Sequence, residues 1–457
     1  MTMKDKGFLK RFLFAVVLMS LTGTVLATDG YFSLAYGTKS KGMGGAGVAL
    51  YQNSLFGVSN PAGLVRLGTS YGVSAGLFMP NRSYEVTGER SIPSTFPPAF
   101  GLEPGKVTSD SKMFLMPAIA ANYLLTEKDA IGLSIYGNGG MNTNYPVKTY
   151  YSTYLDNPVM PDGSNPMAGV SSPTGVNLMQ LFGALQYSRA LGDHWSIGVG
   201  GIVAWQSFEA KGLQAFGNFG MSSDPTSLTN NGASTAFGFG GKVGLLGEII
   251  SGLSVGATFQ TPIYMSEFDE YKGLFAEAGK FNVPANWTAG VAWKPTSKIT
   301  LAFDVKQIYY SQVKSIGNVM NINALLPMYM DGNGAFQNNP AYVPLGSDEG
   351  SGFGWEDMTI FKIGAEYQMA EKSTVRLGFS HGNNPVPESE VMFNILAPGV
   401  VENHLTIGFT QLIGKSALDF AVVHAFKNSV TGVNPLDGAQ TIELTMSQWE
   451  FEIGFRF

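Results

Sequence analysis

Few residue groups that carry chemistry stand at working spacings in this chain of 457 residues. Gly42-x-Gly44-x-x-Gly47 has the glycine spacing of a dinucleotide-binding turn. Such a turn needs a strand before it and a helix after it, so that backbone N–H groups converge on a pyrophosphate. No strand pattern precedes Gly42 and no βαβ unit follows. Gly72-x-Ser74-x-Gly76 has the spacing of a nucleophile elbow, whose serine must sit on a strained strand-to-helix turn. Ser74 instead lies in a run of alternating residues, where it reads as a small strand position. His194, His381, His404 and His424 are scattered without metal-ligand spacing. With no Cys, thiolate metal sites and disulfides are excluded. Lys306, Lys362 and Arg376 stand on the polar faces of alternating segments, where they are candidates to meet a carboxylate. No catalytic residue, metal site or cofactor is expected, and no enzymatic activity.

Composition narrows the class. Only 14% of residues are charged, against roughly 25% in an ordinary soluble protein. There are 58 Gly, 31 Phe and 19 Tyr, and hydrophobic residues reach 44%. A disordered chain and a basic nucleic-acid binder are excluded. The N-terminus carries Lys4, Lys6, Lys10 and Arg11, then the apolar run from Phe12 to Leu21, then Val25-Leu26-Ala27. That is the order of a secretory signal with a small residue at the cut, so cleavage is expected after Ala27. The apolar run is shorter than the ~20 residues of a membrane-spanning helix, and no other run downstream is long enough.

An exported chain this poor in charge is a secreted β-protein or an outer-membrane barrel, and its strand pattern separates the two. Trp449, Phe451, Ile453, Phe455 and Phe457 alternate with Glu450, Glu452, Gly454 and Arg456, which gives one apolar and one polar face. The same alternation recurs over Ile299–Lys306, Phe361–Tyr367, Val375–Ser380, Leu405–Thr410 and Leu418–Val423. In a membrane barrel the apolar face meets lipid and the polar face meets the lumen. About fourteen strands are expected, starting near Ser70, Met113, Ala130, Gly175, Trp195, Thr235, Leu253, Phe281, Ile299, Trp355, Thr374, His404, Ala417 and Ile442. Short and long connections alternate between them, as in an up-and-down barrel with periplasmic turns and extracellular loops. Trp195, Trp293, Trp355 and Trp449 suit an aromatic girdle.

Residues 28–66 do not alternate and are rich in Gly. Asn60 is placed to cap a short helix with Pro61 at its first position and Ala62 next. A barrel this wide is not filled by its own side chains, so an ordered N-terminal segment in the lumen would plug it. The expected organisation is a signal peptide over 1–27, a hatch over 28–66 and a transmembrane antiparallel β-barrel over 67–457.

Three stretches carry a resemblance. The segment from Asp29 to Leu64, with the run Tyr36 to Gly47 and Asn60-Pro61-Ala62, resembles the N-terminal hatch of the FadL-type family. These are outer-membrane transporters of long-chain fatty acids, and the chain is more similar to the branch associated with aromatic hydrocarbon uptake. Tyr136–Thr143 and Met265–Ala276 fit the same family. The resemblance covers essentially the whole mature chain. It implies a hatch-plugged fourteen-stranded barrel that captures hydrophobic molecules outside and releases them sideways through a kinked strand. Upstream of Asn60 the hatch departs from the most familiar member, which leaves fatty acid and aromatic or aliphatic hydrocarbon both open as cargo.

Gly137, Gly139 and Gly140 interrupt a strand that is regular from Ala130. They read either as a strand end entering a loop or as a bulge, and the family resemblance implies an inward kink that opens the wall. The loop after Phe208 holds Leu213, Phe216 and Phe219, and the loop after Pro262 holds Phe268, Leu274 and Phe275. These either pack on one another or capture ligand, and a groove between loops allows both. With Phe32 of the hatch they are the candidate substrate-binding residues. Asn60, Pro61, Ala62, Gly137, Gly139 and Gly140 are the candidate hatch and gating residues. Expected partners are a hydrophobic small molecule, outer-membrane lipid with lipopolysaccharide, and the barrel-assembly machinery of a Gram-negative cell. No nucleic-acid partner is expected, and the chain is expected to be a monomer. A general porin, or an outer-membrane barrel lipase or protease, is the alternative reading. Protein recovered from the outer membrane should begin at Thr28 by N-terminal sequencing; a chain that still begins at Met1 would contradict the export reading.

Overall fold

A computed structural model describes residues 29–91, 100–156 and 163–457. The expected signal peptide and its cleavage site lie outside the described residues. Fourteen strands close into one antiparallel barrel. They are β1 (Ser70–Thr87), β2 (Phe114–Leu124), β3 (Asp129–Asn142), β4 (Gly175–Leu191), β5 (Trp195–Lys211), β6 (Ser234–Ile250) and β7 (Leu253–Gln260). Then follow β8 (Asn286–Trp293), β9 (Ile299–Ile308), β10 (Met358–Ala370), β11 (Ser373–Gly382), β12 (Asn403–Ile413), β13 (Ser416–Val433) and β14 (Thr441–Arg456). Each strand pairs with the next, and β1 closes on β14 from Gly72↔Arg456 to Thr87↔Thr441. Pairing of the first strand with the last leaves the sheet without a terminal edge strand.

Alternation decides which way each side chain points. On β14, Trp449, Phe451, Ile453 and Phe455 are exposed, while Glu450 and Glu452 are buried. On β10, Phe361 and Ile363 face out and Lys362 faces in. The outer face is therefore apolar and exposed and the inner face polar and covered, the inverse of a water-soluble protein. Tight turns join β2–β3, β4–β5, β6–β7, β8–β9, β10–β11 and β12–β13 at one rim. The longer connections all lie at the other rim. They include the stretch from Ile308 to Met358, which carries its own two-stranded hairpin (Met328–Met330 with Phe336–Asn338).

One expectation needs correction. Trp355 is not in an aromatic girdle. It precedes β10, is 1% exposed, and donates from its indole N–H to Asn394 Oδ1 at 2.6 Å. Its ring packs against Tyr310 inside the barrel mouth. Alternation does not extend to residues before the strand, so their facing is set by the loops. Trp195, Trp293 and Trp449 are exposed on the outer face.

The lumen is filled by residues 29–68. A short helix (Thr38–Gly42) touches β11 to β14, and Pro61–Gly63 forms one 3-10 turn against β4, β5 and β6. The glycines of the dinucleotide-like run serve this packing. Gly44 (φ +67°) lies so close to the β11 backbone that a Cβ on it would stand 2.7 Å from Phe379 N. Asn60 is fully buried and works as predicted for a cap, with Oδ1 accepting from Ala62 N at 3.0 Å. Its amide also donates to Val48 O at 2.9 Å within the segment and to Leu245 O of β6 at 3.1 Å. Asn60→Ala strips all three bonds and leaves buried backbone groups unpaired, a loss of about 3 kcal/mol in docking of the segment. Hydrogen exchange should show faster exchange over residues 48–64 with the barrel strands still protected; unchanged protection would refute the role of Asn60.

Candidate functional site

The barrel wall has a gap, and it begins with how far two strands stay paired. β2 and β3 pair from Leu124↔Ala130 only as far as Ala118↔Tyr136. β2 continues to Phe114 on β1, and β3 continues to Asn142 on β4. Phe114–Pro117 and Gly137–Asn142 therefore diverge from one another. Two sequence features act here. Pro117, first past the last pair, has no N–H to offer a ladder. The β3–β4 register slips between Gly137 and Gly139, which makes Asn138 a bulge residue, and a bulge bends its strand. Gly139 sits at φ +155°, a region open to glycine. Of the two readings of these glycines, the structure carries the bulge.

The backbone groups that β3 turns away from β2 find another partner. Ser33 N donates to Asn138 O at 2.8 Å, and Gly140 N donates to Tyr31 O at 3.0 Å, around an antiparallel bridge between Phe32 and Gly139. The tip of the lumen segment thus stands where a wall strand would be. The bulged Asn138 is held from both sides: it donates to Gln180 Oε1 at 2.8 Å and accepts from Tyr36 Oη at 2.5 Å.

Electrostatics fixes that tip. Asp29 Oδ2 accepts from Lys306 Nζ (2.9 Å) on β9 and Lys362 Nζ (2.8 Å) on β10. Lys362 also donates to Leu34 O at 2.6 Å, and Tyr310 Oη donates to Asp29 O at 2.5 Å. Burial alone would raise the Asp29 carboxyl, but the two lysines outweigh it and hold it below the ordinary value. Gly30 (φ +67°) faces the Tyr310 ring, and a Cβ there would come within 2.4 Å of Tyr310 Oη. Lys306 and Lys362 were legible as inward cations; their partner was not. The third, Arg376, pairs with Glu366 at 2.6 Å on the neighbouring strand.

The aromatic residues of the loops lead to the same place. Phe268 and Phe275 pack on Phe208, with centroids 5.6 and 4.6 Å away. Phe275 meets Phe281 at 4.9 Å, and Phe281 meets Tyr31 at 6.1 Å. Tyr31 stacks on Phe32 at 5.2 Å, at the edge of the gap. Leu274 is buried in the same core. Phe216 packs separately on Tyr150 (5.0 Å) and Phe393 (6.0 Å), Phe219 packs on Phe100 (5.6 Å), and Leu213 is buried with them. Both loop groups belong to one continuous buried apolar cluster. Asn60, Pro61 and Ala62 lie away from the gap, against Leu245 of β6 and Gly198 of β5. Tyr31, Ser33, Asn138 and Pro117 were missed by sequence reasoning; the proline was the available signal. Ser74 is buried on the inner face of β1, and its hydroxyl has no hydrogen-bond partner among the described residues.

A closed barrel with an apolar exterior, a filled lumen, a wall gap and an aromatic core reaching that gap is an outer-membrane channel for hydrophobic molecules. A family model described as outer membrane protein transport protein (OMPP1/FadL/TodX) matches residues 27–450, and the chain belongs to that family. It resides in the outer membrane and takes up hydrophobic molecules. Solved structures share the fold. The Pseudomonas putida toluene transporter TodX is 17% identical with a TM-score of 0.61, over 94% of this chain and 99% of that one. The Ralstonia pickettii toluene transporter TbuX is 19% identical with a TM-score of 0.57, over 93% and 98%. A Pseudomonas aeruginosa FadL homologue is 13% identical with a TM-score of 0.62, over 94% and 99%. No curated protein sequence matches the chain.

Asp29→Asn leaves two buried lysines without their carboxylate, a loss of about 3–5 kcal/mol in holding the tip. Exchange at the Ser33 and Gly140 amides should accelerate in this variant. In the native chain the stabilisation from a depressed carboxyl is complete above the unfolded value near ~3.9 and is lost as pH falls through the lower folded value. Protection of these amides should therefore be flat from pH 8 to about 5 and fall only in stronger acid. A loss between pH 7 and 5 would assign the tip to another group.

Proposed function

We propose that cargo enters among the extracellular loops and leaves sideways through the gap between β2 and β3. Leu213, Phe216, Phe219, Phe268, Leu274 and Phe275 are the capture residues, Phe32 is the last contact before the wall, and residues 28–66 are the displaceable hatch. The observation that carries this reading is the unbroken aromatic line from Phe268 and Phe275 through Phe281 and Tyr31 to Phe32, which ends on the residue bridged to Gly139. An apolar molecule that follows it trades aromatic contacts for lipid without crossing water, so no step costs the burial free energy of ~25 cal/mol per Å². The polar interior does not serve as the path. The cavity beside Asp304, Lys242, Lys306 and Lys362 measures about 50 Å³, room for water rather than for an aromatic ring. That filled interior also favours hydrophobic uptake over a general porin.

The cargo class that this supports is an uncharged or weakly polar hydrocarbon or a fatty acid. The chain acts without enzymatic chemistry, as a monomer in contact with lipopolysaccharide, and is inserted by the barrel-assembly machinery. Replacing Gly139 and Gly140 together with Val tests the route. β-branched side chains favour a regular strand over the bent conformation that glycine permits. Uptake of a hydrophobic probe by whole cells should fall severalfold while the barrel folds and probe still binds at the surface. Undiminished uptake, with the wall shown closed by a crosslink from Gly139→Cys to β2 in this otherwise Cys-free chain, would send the cargo through the hatch instead.

A further inference from the structure

The outer wall is not evenly covered. Ala365 of β10 shares the outward face with Ile363, and stands between Leu301 of β9 and Leu377 of β11. Two residues farther from the tight turns, the outward row is Phe303, Ile363 and Phe379. Two residues nearer the turns, Tyr367 is exposed beside Ile299. A single methyl group among rows of large side chains leaves a hollow. It measures about 400 Å³, and every side chain that lines it, from Trp293 on β8 to Leu405 on β12, is apolar. Its floor includes Gly364 and Gly378, whose other side meets the lumen segment. A Cβ on Gly364 would stand 2.6 Å from Met43 O, and Gly378 backs onto Gly44 in the same way. The inward fit of the lumen segment thus keeps the floor bare, and one layer of backbone separates the hollow from that segment.

Height and charge identify what fills it. Phe303 is five residues beyond Lys298, the last residue of the β8–β9 turn. That is ~17 Å along a tilted strand, so the hollow stays in the nearer half of a ~30 Å hydrocarbon layer. Exposed Trp293 and Tyr367 mark the headgroup level at the turn end. Tight turns of such barrels are periplasmic, and the lipid of that leaflet is phospholipid rather than lipopolysaccharide. The turns under the hollow carry Lys294 and Lys298, Glu371 and Lys372, and Lys415, four lysines against one glutamate, a net charge of +3. The other three tight turns carry only Glu127, Lys128, Asp193 and a neutral His194, a net charge of −1. Lys298, Lys372 and Lys415 are exposed, and none is in an ion pair among the described residues. We propose that the hollow is a binding site for one anionic phospholipid of the periplasmic leaflet: an acyl chain lies in the notch over Ala365, and the headgroup phosphate meets Lys298 and Lys372 at the rim. Its volume gives room for about a dozen methylenes, each near the ~30 Å³ of a water. In a bilayer no hydrophobic force prefers one apolar contact to another. The chain is selected because an unfilled hollow forfeits dispersion contacts, and the headgroup because basic residues near the surface attract anionic lipid. The assignment concerns the outside of the wall and stands whichever way cargo leaves.

The test is native mass spectrometry of the folded protein, extracted from outer membranes into uncharged detergent. It is titrated with palmitoyl-oleoyl phosphatidylglycerol or with phosphatidylethanolamine of the same chains. The wild type should retain one phosphatidylglycerol, bound roughly tenfold more tightly than phosphatidylethanolamine, a comparison that needs no variant to fold. Ala365→Phe fills the notch from the lipid side, where it disturbs no inner contact, and should weaken both lipids roughly fivefold. Lys298→Gln with Lys372→Gln should bring phosphatidylglycerol down to the level of phosphatidylethanolamine. Val199→Phe, on the exposed outer face of β5, should bind as the wild type does. Equal affinity of the two lipids in the wild type, unchanged binding in Ala365→Phe, or an equal loss in Val199→Phe would overturn the assignment and leave only an unspecific lipid annulus. A wild-type dimer that Ala365→Phe splits would overturn it too, and give the hollow to a second copy of the chain.

Discussion

A closed sheet that encloses a length of its own chain must let two backbones touch, and side chains on the wall forbid it. Successive strands meet this constraint with inward-facing glycines. A Cβ on Gly198 would stand 2.3 Å from Ala62 N, one on Gly256 2.5 Å from Val48 O, one on Gly378 2.0 Å from Gly44 N, and one on Gly408 2.9 Å from Gly42 Cα. No rotamer change relieves a clash with backbone. The lumen segment and the wall therefore fit each other at the level of main chain, on β5, β7, β11 and β12 at once. The high Gly count of the chain follows in part from this fit rather than from loops.

Main-chain contact supplies closeness; buried charge supplies position. Asp304 on β9 accepts from Gly47 N at 2.8 Å and Val48 N at 2.9 Å. Lys41 is held between Glu450 and Glu452 of β14. Asp29 is held between β9 and β10. Buried ion pairs of this kind add little net stability over apolar packing, yet each is costly to leave half-made. Their effect is to make one placement of the segment much better than its neighbours. The tip held by Asp29 is the part laid along β3, so lumen charge and wall geometry are joined through a few residues.

Local pattern made most of the barrel readable. Strand starts fall within five residues of those expected, because a lipid-facing and a lumen-facing side impose a strict period of two. Gly137, Gly139 and Gly140 stood out for the same reason, as interruptions of that period. What could not be read is long-range. Nothing near Asp29 in sequence announces Lys306 or Lys362, and nothing near Tyr31 announces Gly140. Trp355 was misplaced because its surroundings come from Tyr31, Tyr310 and Asn394 rather than from its own strand. The loop aromatics were legible as apolar residues needing cover; which of them touch was decided by the fold of several loops together.

The Tyr31–Ser33 tip is tied to the wall by the same chain that it helps to close. On the proposed route a passing molecule displaces it, but cannot carry it away. A tethered stopper of this kind reseats at an effective concentration on the order of millimolar, with no nucleotide hydrolysis and no ion gradient. Such a self-resetting valve admits a molecule only if its contacts compete with a peptide already in place, so a polar nutrient or antibiotic that cannot replace those contacts finds the opening shut. The same tether sets a limit: a valve without an energy source equilibrates its cargo across the wall, and net inflow must be drawn by whatever consumes the molecule further inside.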